Sequence, residues 1–538
     1  MKQLAVWLVI FGSCCLSIRS AAQVAVPFKA KNGDSISTVY IWHSDTLREV
    51  QKDSVSIQSL FGHVKLQSDK TFFYCDSLAM NHKENFIEAF GNVHINDNDS
   101  TDIYSQYMKY FVDTKYIVFQ KKVTLKDGRG TLSTEELTYD MNLHIGNYLN
   151  GGKVVNQKTT VTSKEGTYYA DTKDVYFKKD VLLKDPAYDL TADSLLYNSD
   201  QQLATFITTT FIRDSSGRTI RTKEGFYDLK NHRAQFGKRP TIKDGSQAIT
   251  ADDIHFDDSV GLSTATGNAV YRDTAQGFSV IANSLVADKK NNTLLATQKP
   301  LMILKGDKDS IYIRADTLFS GKIPDSVLNR TDSVQGMPIV KTARNPNDSS
   351  LRFLQAYHHV RIFSDSLQAV ADSLYYSGMD SIFRLYTNPI AWAGGYQITG
   401  DTMFLYTKNK KPDHLYVFEN GLVVGKAAEN MYNQIKGNTI NGYFKDGVID
   451  YMRAKGSAES VYYIKDDSMA LVSVNKVTKA DIIDMIFKDK ALNKVVLRND
   501  VEGVMNPIRK VNPDEMKLRN FTWLEDLRPK SKFELFEN

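Results

Sequence analysis

The side chains that could do chemistry in this chain are acidic, and they return at a regular beat. An Asp, a Glu or a small polar substitute recurs at Asp45, Asp76, Ser105, Glu135, Glu165, Asp193, Glu224 and Asp252. The series continues through Asn283, Asp316, Asp372, Asp401, Asn438 and Asp481. Most steps are about 30 residues, with wider ones after Asp316 and again after Asp401. Carboxylates could hold calcium through several oxygens, or work in pairs on a glycosidic bond. Both chemistries need carboxylates that converge on one point. A residue that returns once per turn of an array is better explained as a structural corner. The other reactive groups are sparse. His358-His359 is the one adjacent histidine pair, and neighbouring strand residues face opposite sides, so it cannot chelate one metal. Cys75 has no histidine signal near it and reads as a half-buried thiol. These residues predict no catalytic centre, no metal site and no cofactor.

The elements that must position them follow the same beat. A second series, apolar at its anchor, runs through Val64, Val93, Val123, Val154 and Val181 and on to Val360, Leu422 and Val501. Two interleaved series of one period point to a stacked repeat, in which each unit touches only its neighbours. Within a unit the pattern is that of strands. Ile117, Phe119, Val123 and Leu125 share one face of Tyr116 to Leu125, and Val175, Phe177, Val181 and Leu183 share one face of the next example. The middle inward position of each is a lysine, Lys121 or Lys179, where other units carry a glycine such as Gly91 or Gly267. That substitution predicts a bend or bulge. Pro240, Pro300 and Pro389 stand at apolar anchors and predict bends or edges for the same reason. Polar turns such as Asp127-Gly128-Arg129-Gly130 and Asn198-Ser199-Asp200 separate the strands. The short run Ala480 to Phe487 could be helical, but its place in the series favours strand.

Composition agrees. Tyr (28) and Phe (27) are abundant, as strands prefer. With 67 basic and 63 acidic residues, nothing calls for a nucleic-acid partner. Residues 1–22 read as a signal peptide, with Lys2, an apolar run from Leu4 to Leu16, and Ser20-Ala21-Ala22 before Gln23. Lipidation at Cys14 is the alternative there. Cleavage would leave Cys75 as the sole cysteine, so no disulfide could brace the core. The expected organisation is repeats over 23–319, a polar inserted loop at 320–350, repeats again over 351–505 that turn irregular, and a tail at 506–538 that either docks or runs loose.

Several copies of the motifs carry a resemblance. Phe90-Gly91-Asn92-Val93-His94-Ile95, Thr191-Ala192-Asp193-Ser194-Leu195-Leu196-Tyr197-Asn198 and Val370-Ala371-Asp372-Ser373-Leu374-Tyr375-Tyr376 resemble the OstA/LptA-like periplasmic lipopolysaccharide-transport family. The resemblance covers roughly residues 40 to 500. It implies an all-β, elongated array of antiparallel strands, a twisted β-jellyroll that forms a folded-sheet groove. It implies a periplasmic location and a bridge that carries lipopolysaccharide from inner to outer membrane, with the lipid A acyl chains in the groove. The partners so implied are membrane transport components joined by end-to-end strand pairing, and further copies of the chain. Candidate lining residues are Val93, Ile95, Ile117, Phe119, Val123, Leu125, Phe177, Val181 and Leu183. The plainer reading of those residues is a dry core. The first strands, near Ile36 to Leu47, and the last, near Lys494 to Val504, are candidates for joining partners. Two other functions fit a repeat of this length: a secreted right-handed β-helix enzyme acting on polysaccharide, and a structural stalk or adhesin.

Overall fold

The computed structural model describes residues 24–29, 36–52, 55–97, 101–306, 310–323, 352–408, 411–466, 468–488 and 491–536. The expected signal peptide, 1–22, and most of the expected loop 320–350 lie outside them. Among the described residues the regular elements are strands and four short 3-10 turns near the C-terminus. The chain forms two compact units, residues 1–208 and 209–538.

The strands follow one another as antiparallel neighbours. In the first unit Val55–Ser68, Thr71–Asn81, Phe86–Asp97, Thr101–Phe111, Tyr116–Lys126 and Thr131–Asp140 pair in sequence order. Each long strand is broken in its middle by a slip of register. Gln120 pairs with Glu136, yet the next pair is Val123 with Thr134, so Lys121 and Lys122 stand opposite Glu135 alone. Both lysines have positive φ, 65° and 54°. Two left-handed residues in a row turn the strand through a corner and re-aim its side chains. As a result Ile117 and Phe119 before the corner, and Val123 and Leu125 after it, all point inward. The same left-handed pair recurs at Gly62-His63, Gly91-Asn92 and Lys179-Asp180. In the second unit it recurs at Lys238-Arg239, Gly267-Asn268, Gln298-Lys299, His358-His359, Thr387-Asn388 and Glu419-Asn420. Each unit is therefore a sheet folded along a line of corners, with two half-sheets facing each other across an apolar interior.

The expected bends fall on this line. Pro240, Pro300 and Pro389 each directly follow a left-handed pair, where the strand has already broken and no ladder hydrogen bond is lost. The pair His358-His359 is a correction of detail. It is a corner, not regular strand, and its rings go to different carboxylates: His358 Nδ1 to Asp372 at 3.3 Å and His359 Nδ1 to Asp316 at 2.7 Å. The stretch Ile482–Lys488 is strand. The strand Thr317–Lys322 runs into the region expected to be loop from 320. Cys75 is buried rather than half-buried, and burial pushes its thiol pKa up to about 12.

In the second unit the tail is packed. Residues 508–536 run back along the outer face of one half-sheet. Met516 and Leu518 join Leu422, Val424, Val461, Tyr463 and Val474 in one buried cluster. The neighbours Val423 and Ile435 point the other way, into the fold. That half-sheet is therefore apolar on both faces, which explains strands such as Ile390–Ala393 with no polar residue in alternation.

Candidate interior site of the folded sheet

The recurring acidic residues sit at the corners, opposite the left-handed pairs. Asp45 accepts from His63, Asp76 from Asn92 at 3.0 Å, Asp252 from Asn268 and Arg239 at 2.9 Å each, and Asp401 from Asn420 at 2.9 Å. Their backbone amides bind corner carbonyls too, as Asp252 N does to Gly267 O at 2.9 Å. The carboxylate holds the corner in place of the ladder bonds lost there. The carboxylates serve the corners beside them: Asp252 ties two successive corners through Arg239 and Asn268, and the His358-His359 corner is held by Asp372 and Asp316. Among the described residues no three His, Cys, Asp or Glu side chains are placed to hold a metal.

The interior is lined by two inward rows. In the first unit one row runs by strand register through Leu66, Phe73, Ile95, Ile103, Leu125, Leu132, Val154, Val161, Leu183 and Leu190. All nine residues singled out from sequence, Val93, Ile95, Ile117, Phe119, Val123, Leu125, Phe177, Val181 and Leu183, lie in this interior and are at most 2% exposed. They come together as one packed core.

The open side of the fold, away from the corners, is closed by tyrosines. The inward position near each hairpin tip is Tyr110, Tyr139, Tyr168 and Tyr197 in successive repeats. Each reaches across to the tips of the facing half-sheet. The Tyr110 hydroxyl shares a hydrogen bond with Ser68 Oγ at 3.3 Å. Tyr139 donates to Asp97 at 2.8 Å, Tyr168 donates to Asp127 at 3.0 Å, and Tyr197 accepts from Asn156 at 3.2 Å. Thr71 adds a 2.6 Å bond to Asp97. This is a clasp with one tooth per repeat. Burial pushes the phenol pKa values up, to about 12 for Tyr110 and Tyr197, and the nearby carboxylates push Tyr139 and Tyr168 higher still. The phenols stay protonated and able to donate.

In the second unit the clasp has a gap. The equivalent row, traced by register, reads Tyr227, Phe256, Ala287, Ser320 and Tyr376. Where the ring is missing, a cavity of about 670 Å³ opens between the half-sheets. Ile249, Ile254, Phe256, Leu285 and Leu294 form its depth, and Arg218, Asp244, Asp273, Lys289 and Arg352 stand around it. A second cavity of about 360 Å³ shares Gln276, Phe278, Ser320 and Arg352 with the first and continues among Met302, Leu304, Phe353 and Phe383. The larger volume lies within the roughly 300–1,000 Å³ usual for ligand sites. None of the nine residues chosen from sequence lines either cavity. The signal that would have found it is a missing letter. Glu135 to Tyr139 and Asp193 to Tyr197 end in tyrosine, whereas Asp252 to Phe256, Asn283 to Ala287 and Asp316 to Ser320 do not.

The profile of the family described as OstA-like protein matches residues 36–193. Among solved structures, a similar chain is LptH from Pseudomonas aeruginosa, described as the LptA-homologous periplasmic component of a conserved lipopolysaccharide transport device. It is 11% identical, with 31% of this chain and 80% of that one covered, at a TM-score of 0.14. No curated protein sequence matches the chain.

Proposed function

We infer from the OstA-like segment at residues 36–193 that this chain is a lipid carrier of the cell envelope, taking lipopolysaccharide between inner and outer membrane. The observation that carries the reading is the interior of the folded sheet. It is apolar along its length, closed to water by tyrosines in one unit, and hollow in the other. An acyl chain leaves a membrane only for a host as dry as the bilayer, because each exposed methylene costs about 0.8 kcal/mol. The hollow between Ile254, Leu285 and Leu294 offers such a host. In the first unit Phe119, Val181 and their seven companions would line that unit's own interior path once its clasp opens. The exposed edges of the strands Ala491–Arg498 and Glu502–Pro507 suit end-to-end pairing with another chain.

Photocrosslinking in living cells tests this. A probe at Leu294 in the cavity and one at Phe119 are compared with Lys178, which lies on the outer face over Tyr176. Lipopolysaccharide adducts from Leu294 and none from Lys178 support the carrier. A folded, abundant protein that gives no adduct from Leu294 or Phe119 fits a stalk with a filled core and ends the carrier reading.

A further inference from the structure

We propose that the gap in the tyrosine clasp is a lateral port. Through it the acyl part of one amphiphile enters the second unit sideways, while its anionic head stays at the mouth beside Arg352. The inference rests on the carrier reading and goes further, because it names where lipid enters and what the site reads.

Three observations on the structure lead there. The first is the coincidence of gap and cavity. The row that closes the open side holds four successive tyrosines in the first unit. At Ala287 and Ser320 it holds side chains too short to cross, and both residues line the larger cavity. The second is the facing row. Asp127 accepts a tyrosine hydroxyl in the first unit. Asp273, on the facing tips beside the gap, is buried and instead accepts from Ser246 at 3.2 Å, from Gln247 at 3.3 Å, and from the amides of Ala275 and Gln276 at 3.1 Å each. Its charge is met by amides of its own turn and by side chains of the preceding one, so the gap needs no phenol to satisfy it.

The third is the charge at the mouth. Arg352 lines both cavities. Its guanidinium donates to the Asn292 side chain at 2.9 Å and to the Asn292 carbonyl at 3.4 Å; the Asp273 charge acts on it from a distance, but no carboxylate among the described residues lies within ion-pair reach of it. Arg218 is different: Asp214 holds it at 2.8 Å. Asp288 is likewise engaged, by Asn291. A guanidinium with donors to spare, half-buried at the edge of an apolar hollow, suits a phosphate or carboxylate whose tail runs inward. Asp244 at the same rim disfavours a head carrying several unscreened negative charges deeper in the site. The occupant that fits is an amphiphile with its anionic group at the surface and its acyl chain below.

The test uses the full chain and two probes: a diphosphorylated, acylated glucosamine disaccharide and its phosphate-free counterpart, each presented from detergent micelles. The unaltered protein is expected to bind the phosphorylated probe at least about tenfold more tightly. Filling the gap with the double substitution Ala287→Tyr and Ser320→Tyr is expected to weaken both probes by at least about tenfold while the melting temperature holds or rises. Ala287→Leu is the smaller filling variant and carries the test if the double variant fails to fold. Arg352→Gln is expected to keep the phosphate-free affinity and lose the preference for phosphate. A filled, folded variant that binds both probes as before overturns the port. Equal binding of the two probes by the unaltered protein overturns the role of Arg352. Binding of neither probe by the unaltered protein counts against the carrier reading itself.

Discussion

Tyr139 and Asp97 show what a single side chain contributes. Tyr139 is 1% exposed, and its hydroxyl spans from one half-sheet to the other to reach a buried carboxylate. A hydrogen bond to a charged group is worth about 1.5–3 kcal/mol net, because an unmet partner stays desolvated. Tyr139→Phe keeps the ring and removes the bond, so it should destabilise the first unit by about that amount, read as a lower urea midpoint with unchanged slope. The pH dependence has a definite sign. Burial and Asp97 hold the Tyr139 phenol protonated in the folded state far above the ordinary value near 10. Above that ordinary value the unfolded chain releases its phenol protons while the folded one retains them. Stability is therefore intact below about pH 10 and falls as pH rises beyond it. Tyr139→Phe should flatten this alkaline loss. An alkaline slope unchanged by Tyr139→Phe and by Tyr168→Phe would show that the clasp does not couple to folding.

At the scale of the element, the corner is the device that makes a groove out of a meander. A flat antiparallel sheet would show alternate residues on opposite faces. The left-handed pair resets that alternation, so both halves of a strand turn their apolar side chains inward. Gly91 shows how tight the position is. It has φ +73°, and a Cβ there would lie 2.4 Å from a carboxylate oxygen of Asp76. Gly91→Ala should cost at least about 1–2 kcal/mol, since the left-handed conformation alone costs that. Lys121 occupies the same place in the next repeat with φ 65°. Lys121→Gly should be neutral or stabilising, because glycine adopts that conformation without strain. Melting temperatures of the two variants check both statements, and a corner indifferent to either change would mean it is not held by backbone geometry. Much of this element could be read from the sequence. The 30-residue beat, the strands and the bend at Lys121 and Lys179 follow from alternation and from polar residues in an apolar row. The acidic residues were legible as corners because they recur once per repeat. The cavity was not legible from the rows rich in Val, Ile and Phe, since such rows look alike whether they fill a core or line a hollow. It is set by what is small, Ala287 and Ser320, on a row whose existence depends on strand register.

At the scale of the whole second unit, the tail decides how a wall only one strand layer thick stays rigid beside a hollow. The wall carries three buried glutamines on its outer row, Gln368, Gln397 and Gln434. Each uses its amide to bind the tail. Gln434 donates to the Met516 carbonyl at 3.2 Å and accepts from the Leu518 amide at 2.8 Å. Gln397 does the same with the Thr522 carbonyl at 2.9 Å and the Leu524 amide at 2.6 Å. Gln368 accepts from Arg528 at 2.8 and 2.9 Å. An amide side chain that gives one bond and takes one imitates the edge of a strand, so the tail is held much as a further strand would be while running across the wall. Met516, Leu518, Phe521 and Trp523 then cover the apolar outer face. Truncation after Val511 would expose that apolar face to water at about 25 cal/mol per Å² and exchange the glutamines' bonds to the tail for bonds to water, a net loss of about 0.5–1.5 kcal/mol for each. Calorimetry of the truncated chain should show the second unit melting at lower temperature and the first, with its clasp intact, melting as before. Gln397→Ala should give a smaller shift in the same direction, as it removes one of the three attachments. If the truncated protein melted unchanged, the tail would be a passenger on the wall. If both units fell together, stability would be shared along the array rather than set by each unit's own closure.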